Sequence, residues 1–192
     1  MKKILLSTLT LVYFTFVHIP VANAGDTATE ATTTTTTTST AAVPMYSDGE
    51  SAEVMVSINE GEIDLGQLAK RKAMNKQVRD YAKMIVDQHK QNEKDTKSLV
   101  RKQDLDFKKT DMSKSFEAQA EDMEKTLKKT SKDDFDRAYM NSQVDMHQKA
   151  LDTVNSLISG AQNAAYKAHL EKTRDAITVH LAHAKEVQSM VK

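Results

Sequence analysis

Seven polar residues recur where the spacing of their neighbours calls for apolar ones: Glu62, His89, Asp136, Tyr139, Gln143, His147 and His180. Glu62 lies one helical turn from both Ile58 and Leu65, so on a helix it shares their inward face. His89 continues the line of Val78, Ala82 and Ile85. Asp136, Tyr139 or Met140, Gln143 and His147 form a semi-polar line flanking the apolar face of another helix, and His180 falls on the face of Ile177 and Ala184. Imidazole nitrogens and carboxylate oxygens bind zinc, iron or copper where there is no thiolate, and a closed site needs three or four of them. The chain has no cysteine. Glu62, His89, His147 and His180 are therefore the candidate ligands for a zinc, iron or copper ion, with Asp136, Tyr139 and Gln143 expected as a buried polar network. The same residues could instead only fix helix register through hydrogen bonds, because buried ionisable groups require partners in any case. His183, one turn after His180, is expected to point partly away from the core, and His169 to lie on the surface.

Absent motifs narrow the chemistry. No Glu-x-x-His occurs, so the di-iron carboxylate pattern of helical bundles is missing, and no Cys-x-x-Cys-His is present for a c-type haem. A b-type haem would need Met55 or Met84 opposite His180. There is no phosphate-binding Gly-rich loop, nucleophile elbow or zinc-protease His pair. The methionines beyond Met1 are scattered singly at helical spacing, which suits core filling. No catalytic residue is assigned, and the balance leans away from an enzyme.

The elements that must hold these groups are helical. Beyond residue 49 the chain has no proline and three glycines, Gly61, Gly66 and Gly160, which excludes a strand-and-turn fold. Met55, Ile58, Leu65 and Ala69 predict a helix over 51–74, and Val78, Ala82, Ile85 and Leu99 a second over 75–102. Asp111 or Ser113 starts a shorter helix through Phe116, Ala120, Met123 and Leu127. Ser131 caps a third long helix that Gly160 closes, and Leu170, Ile177, Leu181 and Val187 mark the last, over 162–191. Four long amphipathic helices with a long second-to-third connection predict an all-α, ferritin-like four-helix bundle with an extra short helix in that connection. With a crossover topology and a rise of 1.5 Å per residue, Glu62, His89 and His147 fall at depths of about 18, 21 and 24 Å. Asp136 and His180 fall at about 8 and 12 Å and are expected to pair just above them.

The N-terminus reads as an address. Lys2 and Lys3, an apolar run and Ala22-Asn23-Ala24 form a secretory signal peptide over 1–24, cut after Ala24. Export to the periplasm, the cell envelope or beyond follows. Residues 25–49, with seven successive threonines from Thr32 to Thr38, bury almost nothing and predict a disordered linker, either a spacer or a glycosylated stalk, before a domain over 50–192. The whole chain carries 27 basic and 27 acidic residues, and losing the leader leaves 25 basic ones. A chain so balanced has no electrostatic reason to bind nucleic acid, and after cleavage it keeps no transmembrane segment. An envelope protein or a small ligand is the expected partner.

The segments EIDLGQLA at 62–69, YAKMIVDQH at 81–89, FDRAY at 135–139 running on to His147, and HLAHA at 180–184 resemble the domain-of-unknown-function family 4142. The resemblance covers about 51–187 and implies an exported bacterial protein with a ferritin-like bundle, of a kind often labelled an outer-membrane protein. It implies recurring positions at Glu62, His89, Asp136, Tyr139, His147 and His180. One position departs: the family usually has Asp directly before the helix-two histidine, and this chain has Gln88 there with Asp87 one place earlier. If that acid orients an imidazole, its role is weakened or moved here. The resemblance names no reaction. Two functions stand: a non-enzymatic envelope module for binding or stress, and a metal-binding bundle using the inward Glu and His set.

Overall fold

A computed structural model describes residues 46–191. The expected leader, and all of the expected linker up to residue 45, lie outside the described residues. Five helices follow in order: α1 (Asp48–Lys72), α2 (Lys76–Lys102), α3 (Asp111–Lys129), α4 (Lys132–Gly160) and α5 (Ala164–Met190).

Each helix starts on a side-chain oxygen that satisfies free backbone N–H groups. Ser47 and Glu50 form a reciprocal capping box on α1, which starts the helix inside the stretch expected to be linker. Asn75, Thr110, Ser131 and Asn163 cap the other four. Acidic residues stand in the first turn of α1, α3 and α4, and basic residues in the last turn of α1, α2 and α3, as the helix dipole favours.

The helix directions follow from contacts at the two ends of the bundle. At one end, Asp48 at the start of α1 accepts from the N–H groups of Gln162 and Asn163 in the α4–α5 turn, at 3.1 and 2.7 Å. At the other end, Lys72 donates to the carbonyls of Leu127, Lys128 and Thr130 at the finish of α3, and its ammonium lies 4.9 Å from the Phe135 ring centre. Helix α1 therefore runs parallel to α3 and α5, and antiparallel to α2 and α4. Helix α3, 19 residues long, carries the chain back along α1 so that α2 and α4 run parallel, which is the expected crossover.

Two glycines on α1 set how closely its neighbours approach. A Cβ at Gly61 would stand 2.7 Å from Ala120 Cβ on α3. One at Gly66 would stand 2.7 Å from Val86 Cγ2 and 3.2 Å from the Ala82 carbonyl oxygen on α2. Between these contacts the core divides in two. One apolar cluster gathers Leu65, Val78, Tyr81, Phe135, Tyr139 and Val187, and the other gathers Met55, Ile58, Val100, Phe116, Tyr166 and Ile177. Polar residues occupy the layer between them. Among the described residues no helix is long and apolar enough to cross a membrane.

Candidate metal centre

His89 on α2, His147 on α4 and His180 on α5 meet in that layer. One ring nitrogen from each lies within 4.8 Å of the others, and the ring centres are 5.3 to 5.6 Å apart. All three side chains are buried.

In each ring one nitrogen is anchored and the other has no partner. His89 Nδ1 lies 2.9 Å from Asn59 Oδ1. A chain of donors fixes the orientation of that amide. Thr173 Oγ1 donates to the His169 carbonyl, so it accepts from Asn92 Nδ2, and Asn92 Oδ1 in turn accepts from Asn59 Nδ2. Asn59 therefore presents its oxygen to His89, the proton sits on Nδ1, and the lone pair is left on Nε2. His147 Nδ1 donates to the Gln143 carbonyl at 3.0 Å, and His180 Nε2 donates to Gln88 Oε1 at 2.7 Å. His89 Nε2, His147 Nε2 and His180 Nδ1 are buried without hydrogen-bond partners. A ligating imidazole is commonly held in this way: its second nitrogen is pinned to an acceptor, which sets the tautomer and aims the lone pair.

Burial keeps the rings neutral. It pushes His147 and His180 down to about 4 and His89 well below the ordinary imidazole range, with His147 and His180 adding to the shift on His89. Neutral imidazole is the form that binds metal.

Glu62 stands beside the triad but on the pinned side of His147. Its Oε1 lies 3.4 Å from His147 Nδ1, and its Oε2 accepts from Gln143 Nε2 at 2.9 Å. Burial lifts its carboxyl to about 7, the Gln143 hydrogen bond opposing. With the imidazole lowered and the carboxyl raised, both are neutral in mildly acidic solution, so the contact is no ion pair there. The Tyr81 and Tyr139 hydroxyls and Gln143 Oε1 are also buried without partners, and the Glu62 charge helps hold both phenols above their ordinary range, after burial.

The structure thus brings together His89, His147 and His180, with Glu62 and Gln143 in contact and Tyr139 near by. Asp136 does not join them. Its half-buried carboxylate accepts from the N–H groups of Met74 and Asn75 at 2.7 to 3.2 Å and ties α4 to the α1–α2 turn. The expected Asp136–His180 pair does not form, because counting residues from helix ends assumed flush ends. Asp136, one turn into α4, is level with the α1–α2 turn itself. His169 is not a surface residue: it is half-buried, and its Nε2 lies 2.8 Å from Thr96 Oγ1. His183 is half-buried, with its ring centre 5.3 Å from that of Tyr81. Spacing did not reveal Asn59 or Gln88. Asn59 sits one turn from both Met55 and Glu62 on the same stripe, which was a usable signal. Gln88, at the position where the resemblance expected an acid, orients His180 rather than its neighbour His89.

The sequence model of a family described as a domain of unknown function, DUF4142, matches residues 31–187. The chain belongs to this family. No curated protein matches this DUF4142 chain. Among solved structures, CopM in the Cu(II)-bound form is similar, with a TM-score of 0.59 and 14% identity, over 76% of this chain and 97% of CopM. At that identity the likeness extends to the helical fold alone.

Proposed function

We propose that this DUF4142 protein is exported and binds one first-row transition-metal ion through His89, His147 and His180, with copper(II) bound most tightly. The observation that carries the reading is the buried triad, in which each ring has one nitrogen pinned and the other unpartnered. A network serving only helix register would pair those nitrogens too, since a buried polar atom left alone costs about 1–3 kcal/mol. Bonds of about 2.0–2.1 Å in a tetrahedral array place ligand nitrogens about 3.3 Å apart. One nitrogen from each ring lies within 4.8 Å of the others, so the rings need a modest inward turn to close on an ion.

The donor set favours copper. Three neutral imidazoles without a thiolate follow the Irving–Williams order, in which copper(II) exceeds the other divalent ions, zinc included. CopM, of similar fold, is described in a Cu(II)-bound form. Glu62 acts from behind His147: once ionised, its carboxylate, 3.4 Å from the Nδ1–H that the Gln143 carbonyl accepts, adds negative charge beside that edge and raises the basicity of the ligating nitrogen. Export rests on the leader sequence, Lys2 and Lys3 ahead of an apolar run and Ala22-Asn23-Ala24.

Purified protein, stripped and then offered copper(II), zinc or iron with excess removed by gel filtration, should retain one copper ion per chain. The double variant His89→Ala, His180→Ala should retain none while keeping its helicity. A wild-type chain that retains no stoichiometric metal contradicts the reading.

A further inference from the structure

The acceptors behind the three rings carry no charge. Asn59 Oδ1 and Gln88 Oε1 are amide oxygens, 2.9 Å from His89 Nδ1 and 2.7 Å from His180 Nε2, and His147 Nδ1 donates to a main-chain carbonyl. A ligating imidazole gains donor strength from its acceptor, and a neutral amide lends less than a carboxylate would. Among the described residues Glu62 is the one carboxylate paired with any of the three rings, 3.4 Å from the pinned edge of His147. Whatever its protonation state, the site therefore brings at most one negative charge to an ion. The nitrogens aimed inward, His89 Nε2, His147 Nε2 and His180 Nδ1, are closed off from solvent, so water does little to spread the charge of an ion between them. A groove of about 220 Å³ framed by α1, α2 and α5 does not open them: its lining includes the two acceptors, Asn59 and Gln88, and leaves out His147.

Resting on the metal reading above, we infer that the triad discriminates between the oxidation states of copper and holds copper(I) more tightly than copper(II), with Gln88 and Asn59 setting the balance. Charge and geometry both favour the lower state. The cost of burying an ion rises with the square of its charge. Ionised, Glu62 offsets all of the charge of copper(I) but half that of copper(II); protonated, it offsets neither, and the divalent ion suffers more. Copper(II) also prefers a tetragonal array of nitrogen and oxygen donors. The three helices supply three nitrogens, and Glu62 faces the protonated edge of His147 rather than the ion. A closed-shell d¹⁰ ion such as copper(I) has no geometric preference of its own from its d electrons and accepts three. Copper(II) still leads the divalent ions, which share its charge. Conversion takes one electron from an external reductant such as ascorbate, which becomes its one-electron-oxidised radical. The three copper–nitrogen bonds remain and no proton moves within the site.

The copper-loaded chain, poised in a series of redox buffers, is read by the paramagnetic resonance of copper(II). Its midpoint should lie above that of aqueous copper, which is the same statement as tighter binding of copper(I). After reduction by ascorbate under nitrogen and gel filtration, one resonance-silent copper per chain should remain. Gln88→Glu puts a carboxylate on the His180 Nε2–H at an exposed position, and should move the ratio of copper(II) to copper(I) at fixed potential about 10-fold toward copper(II), about 59 mV for a one-electron couple. Asn59→Asp makes the same change at the buried acceptor of His89, where solvent screens it less, and helicity is measured for both. A midpoint at or below that of aqueous copper would overturn the preference while leaving metal binding intact. An unmoved midpoint in both variants would overturn Gln88 and Asn59 as the residues that set it. A wild-type chain that holds copper in neither state would instead remove the reading on which the inference rests.

Discussion

At the scale of single residues, the site depends on hydrogen bonds that aim the imidazoles as much as on the imidazoles. Asn59→Ala removes the acceptor that fixes the His89 tautomer, and should weaken copper binding about 10–100-fold without changing which residues ligate. Isothermal titration of stripped wild-type and variant chains measures it. Glu62, His89 and His180 were legible in the sequence because each interrupts an apolar stripe at helical spacing, and Gln143 and His147 because they line up along the flank of one. Asn59 carried the same signal, lying one turn from Met55 and Glu62, but its pairing with His89, like that of Gln88 with His180, joins different helices, and a single helical period carries no information across the bundle. Asp136 misled for the complementary reason: it shares the line of Gln143 and His147, but that line runs past the end of the neighbouring hairpin. Its carboxylate closes the α1–α2 turn instead. Asp136→Ala should therefore cost about 0.5–1.5 kcal/mol of stability by removing the hydrogen bonds that tie α4 to the α1–α2 turn, and leave copper stoichiometry at one per chain. Chemical denaturation and metal analysis of the same preparation give both values.

At the scale of elements, the helices hold the site by close approach. Helix α1 passes near α2 at Gly66 and near α3 at Gly61, where a Cβ would meet Val86 and Ala120 at 2.7 Å. Gly66→Ala should destabilise the protein by about 1–3 kcal/mol, since the Ala82 carbonyl at 3.2 Å is backbone and yields less readily than a side chain. Thermal unfolding of the stripped protein reads the change. Helix boundaries were largely visible in advance from apolar periodicity and from caps such as Ser131. The start of α1 was not, because the capping box Ser47-Asp-Gly-Glu50 precedes the first apolar-periodic residues and follows closely on a Thr-rich tract of disorder-like composition. That α3 packs along α1 and covers the Glu62 side also depends on tertiary contact, which its own amphipathic pattern leaves unspecified.

At the scale of the whole molecule, the buried groups give the stripped protein a distinctive stability profile. His147 and His180, held at about 4 against an ordinary 6.5, and His89, held lower still, take up protons on unfolding. Their contribution is complete above the unfolded value and is lost as pH falls toward 4. Glu62 acts oppositely: with its folded value raised to about 7, its contribution is complete below an unfolded value of 4.5 and is lost as pH rises through 7. Stability should thus climb from pH 4 to about 7, less steeply than the three histidines alone would give because the one carboxyl opposes them, and level off above it. Glu62→Gln should steepen the climb between about pH 4.5 and 7 and leave the plateau above it flat, as urea unfolding across this pH range would show. Balanced surface charge pointed to this interior: with neither a basic face nor a thiol, the Glu and His groups within the bundle were the chemistry left to consider.

The central claim is that three imidazoles from α2, α4 and α5 hold one ion. Anomalous diffraction at the copper edge from crystals of the copper-loaded chain tests it most directly. One strong peak is expected within about 2.0–2.2 Å of His89 Nε2, His147 Nε2 and His180 Nδ1, the bond lengths of imidazole–metal coordination. Copper found only at surface carboxylates, with the three rings still apart and nothing between them, would contradict it.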